Sequence, residues 1–192
     1  MRDNSMPYDR SQVYQPEADT VLLAGAARQE VRAGDRVLEV GTGTGIVARE
    51  LAKVSDFVIA TDINPHAAAC ARESGLDTVR TDLLAGIRGE FDLIVFNPPY
   101  LPTRPEERID DWLEYALDGG ESGRAVIEQF AADAGRLLAP HGRILLLVSS
   151  LTGLPEVTDL FVRHGYAVDI AVQQAVEGEV LYVLRIVRRG IS

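Results

Sequence analysis

The sequence predicts a single α/β domain: a seven-stranded, mostly parallel sheet with helices on both faces and a C-terminal antiparallel hairpin. Strand and helix patterns alternate along the chain from residue 37 onward. The segments at residues 91–96 and 143–148 are rich in apolar residues, as expected for strands that are buried on both faces. Near the end, Glu177, Gly178 and Glu179 separate two strand patterns and form a hairpin signal.

The first elements follow from apolar runs and from helix signals. Strands are predicted at residues 37–40, 57–61 and 77–81, and helices at residues 46–54 and 65–74. Asn64 can cap the second of these helices, with Pro65 at its first position and Gly75 closing it. Each helix therefore returns the chain to the start of a new strand.

The remaining elements begin with a strand at residues 91–96, which must stop before Pro98 and Pro99 because proline cannot donate to a strand ladder. After it we predict a helix at residues 124–138 ended by Pro140 and Gly142, a strand at 143–148, a helix at 156–164 ended by Gly165, and strands at 167–174 and 180–187. Residues 1–192 are expected to form one domain, in which residues 1–12 are flexible and residues 102–107 form a loop.

Composition indicates a globular protein of a reducing compartment. The chain has 192 residues, 46% of them hydrophobic, and no apolar run approaches the ~20 residues of a membrane span. Cys70 is the single cysteine and lies among alanines, where a buried filler is expected rather than a nucleophile. The three histidines are scattered, so we predict no bound metal. Because the N-terminus lacks a signal peptide, we expect a cytoplasmic protein.

The charge of the chain is a mild argument against a nucleic-acid partner. The formal net charge is −10, which repels a polyphosphate. Lys53 is the only lysine, and acidic, lysine-poor proteins also suit a salt-rich cytoplasm, where screening weakens that repulsion. High genomic GC content would also exchange lysine for arginine.

A glycine-rich loop follows the first strand and indicates a bound cofactor. Gly41, Gly43 and Gly45 alternate at the carboxyl end of that strand, where the ligand crevice of a parallel sheet lies. Glycines allow the backbone to approach a ligand closely, and three of them exceed what a tight turn needs. A dinucleotide fingerprint is incomplete, because Ile46 stands at the position of its third glycine.

Acidic residues near this loop bear on the identity of the cofactor. Asp62 ends the second strand and is placed to hydrogen-bond a ribose diol, which both dinucleotide and S-adenosylmethionine folds require. Asp82 can accept from an adenine amino group while Leu83 packs on the ring, although a capping role explains Asp82 nearly as well. Glu39 can face a positively charged amino acid. Together the loop and the acids favour S-adenosylmethionine.

The tetrapeptide Asn97-Pro98-Pro99-Tyr100 can grip a planar NH2 group. The rigid backbone of the two prolines presents the side-chain amide of Asn97, the carbonyl of Pro98 and the aromatic face of Tyr100. Asn-Pro alone is an ordinary turn signal, but a turn needs no tyrosine.

Five segments carry a resemblance to a known family. They are residues 13–20 (VYQPEADT), 38–41 (LEVG), 61–65 (TDINP), 96–101 (FNPPYL) and 119–124 (GGESGR). On these segments the chain resembles the class I methyltransferases, which have a Rossmann-like fold. Within them it is similar to the HemK family of protein glutamine methyltransferases, in its short archaeal and eukaryotic branch. The usual Pro-Ala-Glu-Asp-Thr of that family reads Pro-Glu-Ala-Asp-Thr here, at residues 16–20.

The resemblance implies an S-adenosylmethionine-dependent protein-glutamine N-methyltransferase and assigns residues to its site. The implied catalytic residues are Asn97, Pro98, Pro99 and Tyr100. The implied cofactor-binding residues are Tyr14, Thr20, Glu39, Gly41, Gly43, Gly45, Asp62, Ile63, Asp82, Leu83 and Asn97.

The resemblance also implies a substrate and a partner. The substrate would be the glutamine of the Gly-Gly-Gln loop in a class I peptide release factor. Members of this branch commonly pair with a small zinc-binding activator subunit, which we expect at the third-strand edge near Val79. The result would be a heterodimer in which the zinc belongs to the partner. Trp112 and Tyr115 would either form a substrate rim or anchor a surface helix.

Three other functions are weighed against this one. An adenine N6 methyltransferase acting on DNA or RNA could use the same grip, but it needs a target-recognition region for which few residues remain. A protein lysine methyltransferase must first deprotonate an ammonium, and the sequence offers no obvious base. A non-catalytic binding subunit is disfavoured by the intact Glu39, Asp62 and Asn97.

Overall fold

The structure is a computed structural model that describes residues 8–104 and 111–190. In this part of the chain the strands are β1 (Arg36–Val40), β2 (Phe57–Asp62), β3 (Asp77–Arg80), β4 (Phe91–Phe96), β5 (Leu138–Ser149), β6 (Tyr166–Val176) and β7 (Glu179–Arg188). The helices are α1 (Ala18–Glu30), α2 (Ile46–Leu51), α3 (Pro65–Glu73), α4 (Trp112–Tyr115), α5 (Ala125–Ala134) and α6 (Leu154–Arg163), and a 3-10 helix covers Arg10–Gln12.

The seven strands of the described residues form one mixed sheet in the order β3-β2-β1-β4-β5-β7-β6. Strands β1 to β5 are parallel to one another, whereas β7 runs antiparallel between β5 and β6. β6 and β7 form the C-terminal hairpin, in which Val176 pairs with Glu179. The fold class predicted from the sequence is confirmed.

The strand order reverses between β1 and β4, and this reversal places the site. In an open parallel sheet, a crevice forms beyond the carboxyl ends of the strands at such a switch point. Val40 and Phe96, the last residues of β1 and β4, are paired in register. The loop that begins at Gly41 and the tetrapeptide that begins at Asn97 therefore leave the sheet side by side.

Helices cover both faces of the sheet and bury an apolar cluster on each. Successive residues of a strand point to opposite faces, so Leu38 and Val37 of β1 belong to different clusters. The Leu38 cluster includes residues of α5 and α6, and the Val37 cluster includes residues of α1, α2 and α3. At the end of β4, the ring of Phe96 packs against that of Phe130 with centroids 5.0 Å apart.

The signals predicted for α3 are confirmed. The Asn64 side chain accepts a hydrogen bond from the backbone N–H of His66 at 2.9 Å, and Pro65 begins the helix. Gly75 follows the helix with φ of +83°, a left-handed conformation that glycine adopts without steric cost.

The predicted end of α5 is wrong. The helix ends at Ala134 instead of residue 138, and Pro140 and Gly142, which we expected to end it, lie inside β5. The physical reason is strand pairing. Leu138 is paired with Phe91 of β4, so the chain becomes extended soon after the helix. A register shift between Phe91 and Leu93 accommodates the start of β5.

The sequence patterns missed α1, whose apolar contacts come largely from small residues. Its buried apolar residues are Leu23, Ala26 and Ala27. The 3-10 helix and the buried Tyr8 lie within the stretch expected to be flexible, of which residues 1–7 are outside the described residues. Of the predicted 102–107 loop, residues 105–107 are likewise outside them. Within the described parts of the chain, no helix is both long enough and apolar enough to span a membrane.

Candidate functional site

A cavity of about 1100 Å³ lies at the carboxyl ends of β1, β2 and β4. It brings together the predicted site residues with one exception, Gly45. The predicted residues that line it are Tyr14, Thr20, Glu39, Gly41, Gly43, Asp62, Ile63, Asp82, Leu83, Asn97, Pro98, Pro99 and Tyr100. Residues from the start of the chain thus meet residues from the ends of three strands.

The three glycines of the loop after β1 are required for different structural reasons. Gly41 and Gly43 have φ of +64° and +55° and line the cavity. A Cβ at Gly41 would lie 3.4 Å from the Phe96 ring, an ordinary contact, so its left-handed backbone is what favours glycine there. Gly45, also left-handed, caps α2, and a Cβ there would lie 2.7 Å from the Leu76 side chain. Packing therefore accounts for Gly45, while Gly41 and Gly43 leave the cavity open.

Glu39 is buried beneath this loop and is held by it. One carboxylate oxygen, Oε2, accepts hydrogen bonds from the Thr42 hydroxyl at 2.5 Å and from the backbone N–H of Ala48 at 3.0 Å. Burial raises the pKa of Glu39 to about 8, and the two hydrogen bonds only partly oppose it. A positive charge entering the cavity would favour the ionised carboxylate.

Asp62 connects the glycine loop to the start of α3. Its Oδ2 accepts from the backbone N–H of Gly43 and its Oδ1 from that of Asn64, both at 2.9 Å. Burial raises the pKa of Asp62 above its ordinary value, while these hydrogen bonds lower it. Each oxygen keeps a lone pair that can accept from a ligand hydroxyl.

Leu83 adopts an uncommon backbone conformation beside the cavity. Its φ is +45°, and it is the single non-glycine residue with positive φ in the described chain. Such a conformation costs about 1–2 kcal/mol per residue and is often found at functional sites. Asp82, which precedes it, is exposed and also lines the cavity.

Asn97 is oriented by a buried carboxylate. Its Nδ2 donates to Oδ2 of Asp19 at 3.0 Å. Because an ionised carboxylate only accepts hydrogen bonds, the NH2 end of the amide must face Asp19 and the Oδ1 end must point away. Oδ1 of Asn97 is buried and has no hydrogen-bond partner. A buried acceptor without a partner is costly, so this atom is prepared to receive an N–H from a ligand.

Asp19 lines the cavity and contacts Asn97, and the sequence patterns did not identify it. It is 4% exposed and accepts from the Tyr14 hydroxyl at 3.1 Å and from the Thr20 backbone N–H at 2.5 Å. Tyr14 and Thr20, both predicted site residues, thus act on Asn97 through Asp19. Asp19 lies within the family segment at residues 13–20. A carboxylate that is buried among apolar residues needs hydrogen-bond donors, and this requirement could have indicated a structural contact for Asp19.

The far end of α1 is fixed to the sheet by ion pairs. Glu30, its last residue, lies 3.2 Å from Arg185 of β7 and 3.4 Å from Arg143 of β5. Arg143 is buried and also pairs with Asp35 at 2.6 Å. These contacts hold the helix, and with it Asp19 at the other end.

Tyr100 lies half-buried in the lining of the cavity, at the end of the tetrapeptide. Burial, together with the negative charges of Asp19, Glu179 and Glu17, raises the pKa of Tyr100 above its ordinary value. Its phenol is therefore neutral at physiological pH and does not serve as a base. Trp112 and Tyr115 also line the cavity.

The described lining of the cavity is strongly acidic. Arg10 is the one cation among its lining residues. The acids are Glu17, Asp19, Glu39, Asp62, Asp82, Glu114, Asp118 and Glu179. Such a lining attracts a cationic ligand and repels phosphates. No group of three or more metal-ligating side chains is present among the described residues.

The chain is similar to methyltransferases in sequence and in structure. Residues 17–110 match the methyltransferase small domain. The mouse methyltransferase HEMK2 is 36% identical over 189 residues, covering 90% of this chain and 88% of the mouse protein. The release factor glutamine methyltransferase of Deinococcus radiodurans is 44% identical over 147 residues, covering 68% of this chain and 52% of that protein.

A solved structure extends the similarity to nearly the whole fold. It is the Mtq2–Trm112 complex of E. cuniculi, which is responsible for the methylation of the translation termination factor eRF1. The TM-score is 0.78 at 32% sequence identity, and the alignment covers 93% of this chain and 99% of that chain.

The raised pKa of Glu39 predicts a specific dependence of stability on pH. The folded state holds the Glu39 proton more tightly than the unfolded state, so the contribution of this group is fully present below pH 4.5 and is lost as pH rises toward 8. Glu39→Gln cannot ionise, so we expect its free energy of unfolding to exceed that of wild type by an amount that grows as pH rises from 4.5 to 8. The difference should reach several kcal/mol, since one pKa unit is worth about 1.4 kcal/mol.

Urea unfolding of both proteins at pH 5, 7 and 9 measures this difference. Other titrating groups are common to both proteins and cancel in the comparison. A difference that stays constant between pH 5 and 9 would contradict the assignment.

Proposed function

The chain belongs to the HemK-type methyltransferase family that includes HEMK2, and we propose that it methylates the side-chain nitrogen of a protein glutamine with S-adenosylmethionine as the donor. The observation that carries the proposal is Oδ1 of Asn97, which is buried, unpaired and held in place by Asp19. A primary amide has two N–H groups and can donate one of them to such an acceptor.

The residues of the cavity fit S-adenosylmethionine. Gly41 and Gly43 leave backbone accessible, Asp62 can accept from ribose hydroxyls, and Glu39 can face the cationic amino acid. Asp82 and Leu83 line the same cavity, which supports their proposed contact with the adenine group. When bound, S-adenosylmethionine supplies an electrophilic methyl group on a sulfonium centre. The acidic lining suits this cationic donor.

The tetrapeptide residues bind and orient the acceptor. Oδ1 of Asn97 and the carbonyl of Pro98 each accept one N–H of the glutamine amide, and the ring of Tyr100 packs on the amide plane. These contacts fix a weak nucleophile whose lone pair is delocalised into its own carbonyl. Correct placement of reacting groups can contribute about 7–11 kcal/mol to lowering a barrier.

The transfer needs no strong base from the protein. Tyr100 is a neutral phenol, and Asp19 already accepts from Tyr14, Thr20 and Asn97. The nitrogen gains acidity once it carries the methyl group, so its surplus proton passes to water after transfer. The role of Asp19 is to orient Asn97 and keep its Oδ1 free.

The substrate that the relatives support is a class I release factor. The Deinococcus relative is named as a release factor glutamine methyltransferase, and Mtq2–Trm112 methylates eRF1. We place the target at the glutamine of the Gly-Gly-Gln loop. The acidic lining argues against DNA or RNA adenine, which the same grip could hold.

A small zinc-binding activator subunit is the proposed partner. The similarity to Mtq2 in its complex with Trm112 supports such a subunit. We place the contact at β3, an edge strand that pairs with β2 on one side. Val79 of this strand is 42% exposed, and an apolar side chain on an unpaired edge favours association.

The substrate is tested by incubating the chain with labelled S-adenosylmethionine and release factor, duplex DNA or RNA, with and without a Trm112-type subunit. We expect label in the release factor, lost when the glutamine of its Gly-Gly-Gln loop is replaced by alanine. Label in nucleic acid would refute the glutamine acceptor in favour of adenine.

Two substitutions separate binding of the acceptor from binding of the cofactor. Asn97→Ala should lower kcat at least ~10²-fold, a loss typical of removing one preorganised hydrogen-bonding group. Asp19→Asn should lower kcat less, because its amide can accept or donate and so allows Asn97 to flip. Calorimetry should show the Kd of S-adenosylhomocysteine within a few-fold of wild type in both. Near-normal turnover by Asn97→Ala would refute the mechanism.

The partner surface is tested with two matched substitutions on opposite edges of the sheet. Val79→Asp on β3 should weaken the heterodimer at least tenfold, because it places a charge against an apolar contact. Ile170→Asp on β6, where the original side chain is 49% exposed, should leave the heterodimer intact. Size-exclusion chromatography of the mixed subunits measures both. Equal effects of the two would remove β3 as the contact.

A further inference from the structure

The segment at residues 119–124, Gly-Gly-Glu-Ser-Gly-Arg, has no role in the mechanism above, yet it lies directly beside the tetrapeptide. Its backbone pairs with the chain that follows Tyr100. The N–H of Gly119 donates to the carbonyl of Leu101 at 2.9 Å, and the N–H of Thr103 donates to the carbonyl of Gly120 at 3.0 Å. We call residues 119–124 the glycine platform.

Within the glycine platform, Gly123 lies directly against the tetrapeptide. A Cβ at this position would lie 2.6 Å from the carbonyl oxygen of Tyr100, and its φ is +70°. Contacts between carbon and carbonyl oxygen are normally about 3.3–3.6 Å, so a methyl group here would displace the Tyr100 carbonyl by roughly 1 Å. Gly119 packs as closely on Gly123, since its own Cβ would lie 2.8 Å from the Gly123 Cα.

The glycine platform is itself anchored to the rest of the sheet. Nη1 of Arg124 donates to the carbonyl of Thr152 at 2.6 Å, in the loop between β5 and α6. Thr152 is fully buried. The Ala125 N–H, at the start of α5, donates to the carbonyl of Gly119 at 3.0 Å. A displaced Tyr100 therefore cannot be accommodated simply by moving the platform.

We propose that Gly123 is a positioning residue for the acceptor. Because it lacks a side chain, it sets the position of the Tyr100 carbonyl and thereby that of the Pro98 carbonyl and the Tyr100 ring, which bind the acceptor amide. The inference rests on the proposed function. Pro98 and Pro99 have fixed φ, which leaves fewer backbone dihedrals to absorb a shift at Tyr100 before it reaches the Pro98 carbonyl. The cofactor residues Glu39 and Asp62 are held by separate contacts at the ends of β1 and β2.

Gly123→Ala tests the proposal. We expect kcat toward the release factor to fall at least tenfold, and as much as ~10²-fold, because a 1 Å misplacement of reacting groups can have that effect. The Kd of S-adenosylhomocysteine, measured by calorimetry, should stay within twofold of wild type. A split between kcat and cofactor affinity is the signature of a positioning residue and differs from general destabilisation.

Gly34→Ala is the matched control. Gly34 has φ of +87°, and a Cβ there would meet no atom within 4 Å. It lies before β1, at the end of the strand opposite to the cavity. The control therefore carries the backbone strain of alanine at positive φ without the contact, and it should keep the wild-type kcat.

The possible outcomes are distinct. Equal kcat for wild type and a folded Gly123→Ala overturns the inference, as does a parallel loss of cofactor affinity. If Gly123→Ala does not fold, Arg124→Ala, which releases the platform without adding a methyl group, should lower kcat several-fold, with recovery in Arg124→Lys. Wild-type kcat in Arg124→Ala overturns the inference. A wild-type chain inactive toward the release factor refutes the proposed function itself.

Discussion

The hydrogen bond from Asn97 to Asp19 is the interaction on which the orientation of the Asn97 amide in the cavity depends. The two ends of an asparagine amide have nearly the same shape and opposite hydrogen-bonding sense, and one orientation alone leaves an acceptor free. A carboxylate 3.0 Å away selects that orientation. Asp19 is available because α1 is packed on the sheet and tied through Glu30 to Arg143 and Arg185. Ion pairs at the far end of the helix thus bear on the orientation of Asn97.

Sequence reasoning recovered the parts of the molecule that local chemistry dictates. The strands, the Asn64 cap and the meeting of the Gly41 loop with Asn97 follow from apolar runs, cap chemistry and strand topology. The contact of Asp19 with Asn97 could not be predicted, because α1 has no strong apolar periodicity and the two residues are 78 positions apart in the sequence. The prediction of the end of α5 was wrong for a related reason, because the pairing of Leu138 with β4 overrides the local helix signals.

The glycines of the site illustrate why a motif does not reveal the purpose of each of its members. Gly41 and Gly43 open the cavity, but Gly45 of the same motif makes room for Leu76. Gly123, far along the chain, makes room for the Tyr100 carbonyl. Glycine thus keeps the cavity open at two positions and permits close packing at two others. Only the three-dimensional contacts distinguish these two reasons.

The acidic lining of the cavity has a consequence for the end of the catalytic cycle. Methyl transfer converts a sulfonium into a neutral thioether, so the spent cofactor carries one positive charge fewer than the fresh one. Glu39, Asp62 and the other lining acids then lose part of their attraction for it. The same side chains that gather the donor thereby weaken their hold on the product, and the cavity is biased toward exchange of the spent molecule for a fresh one.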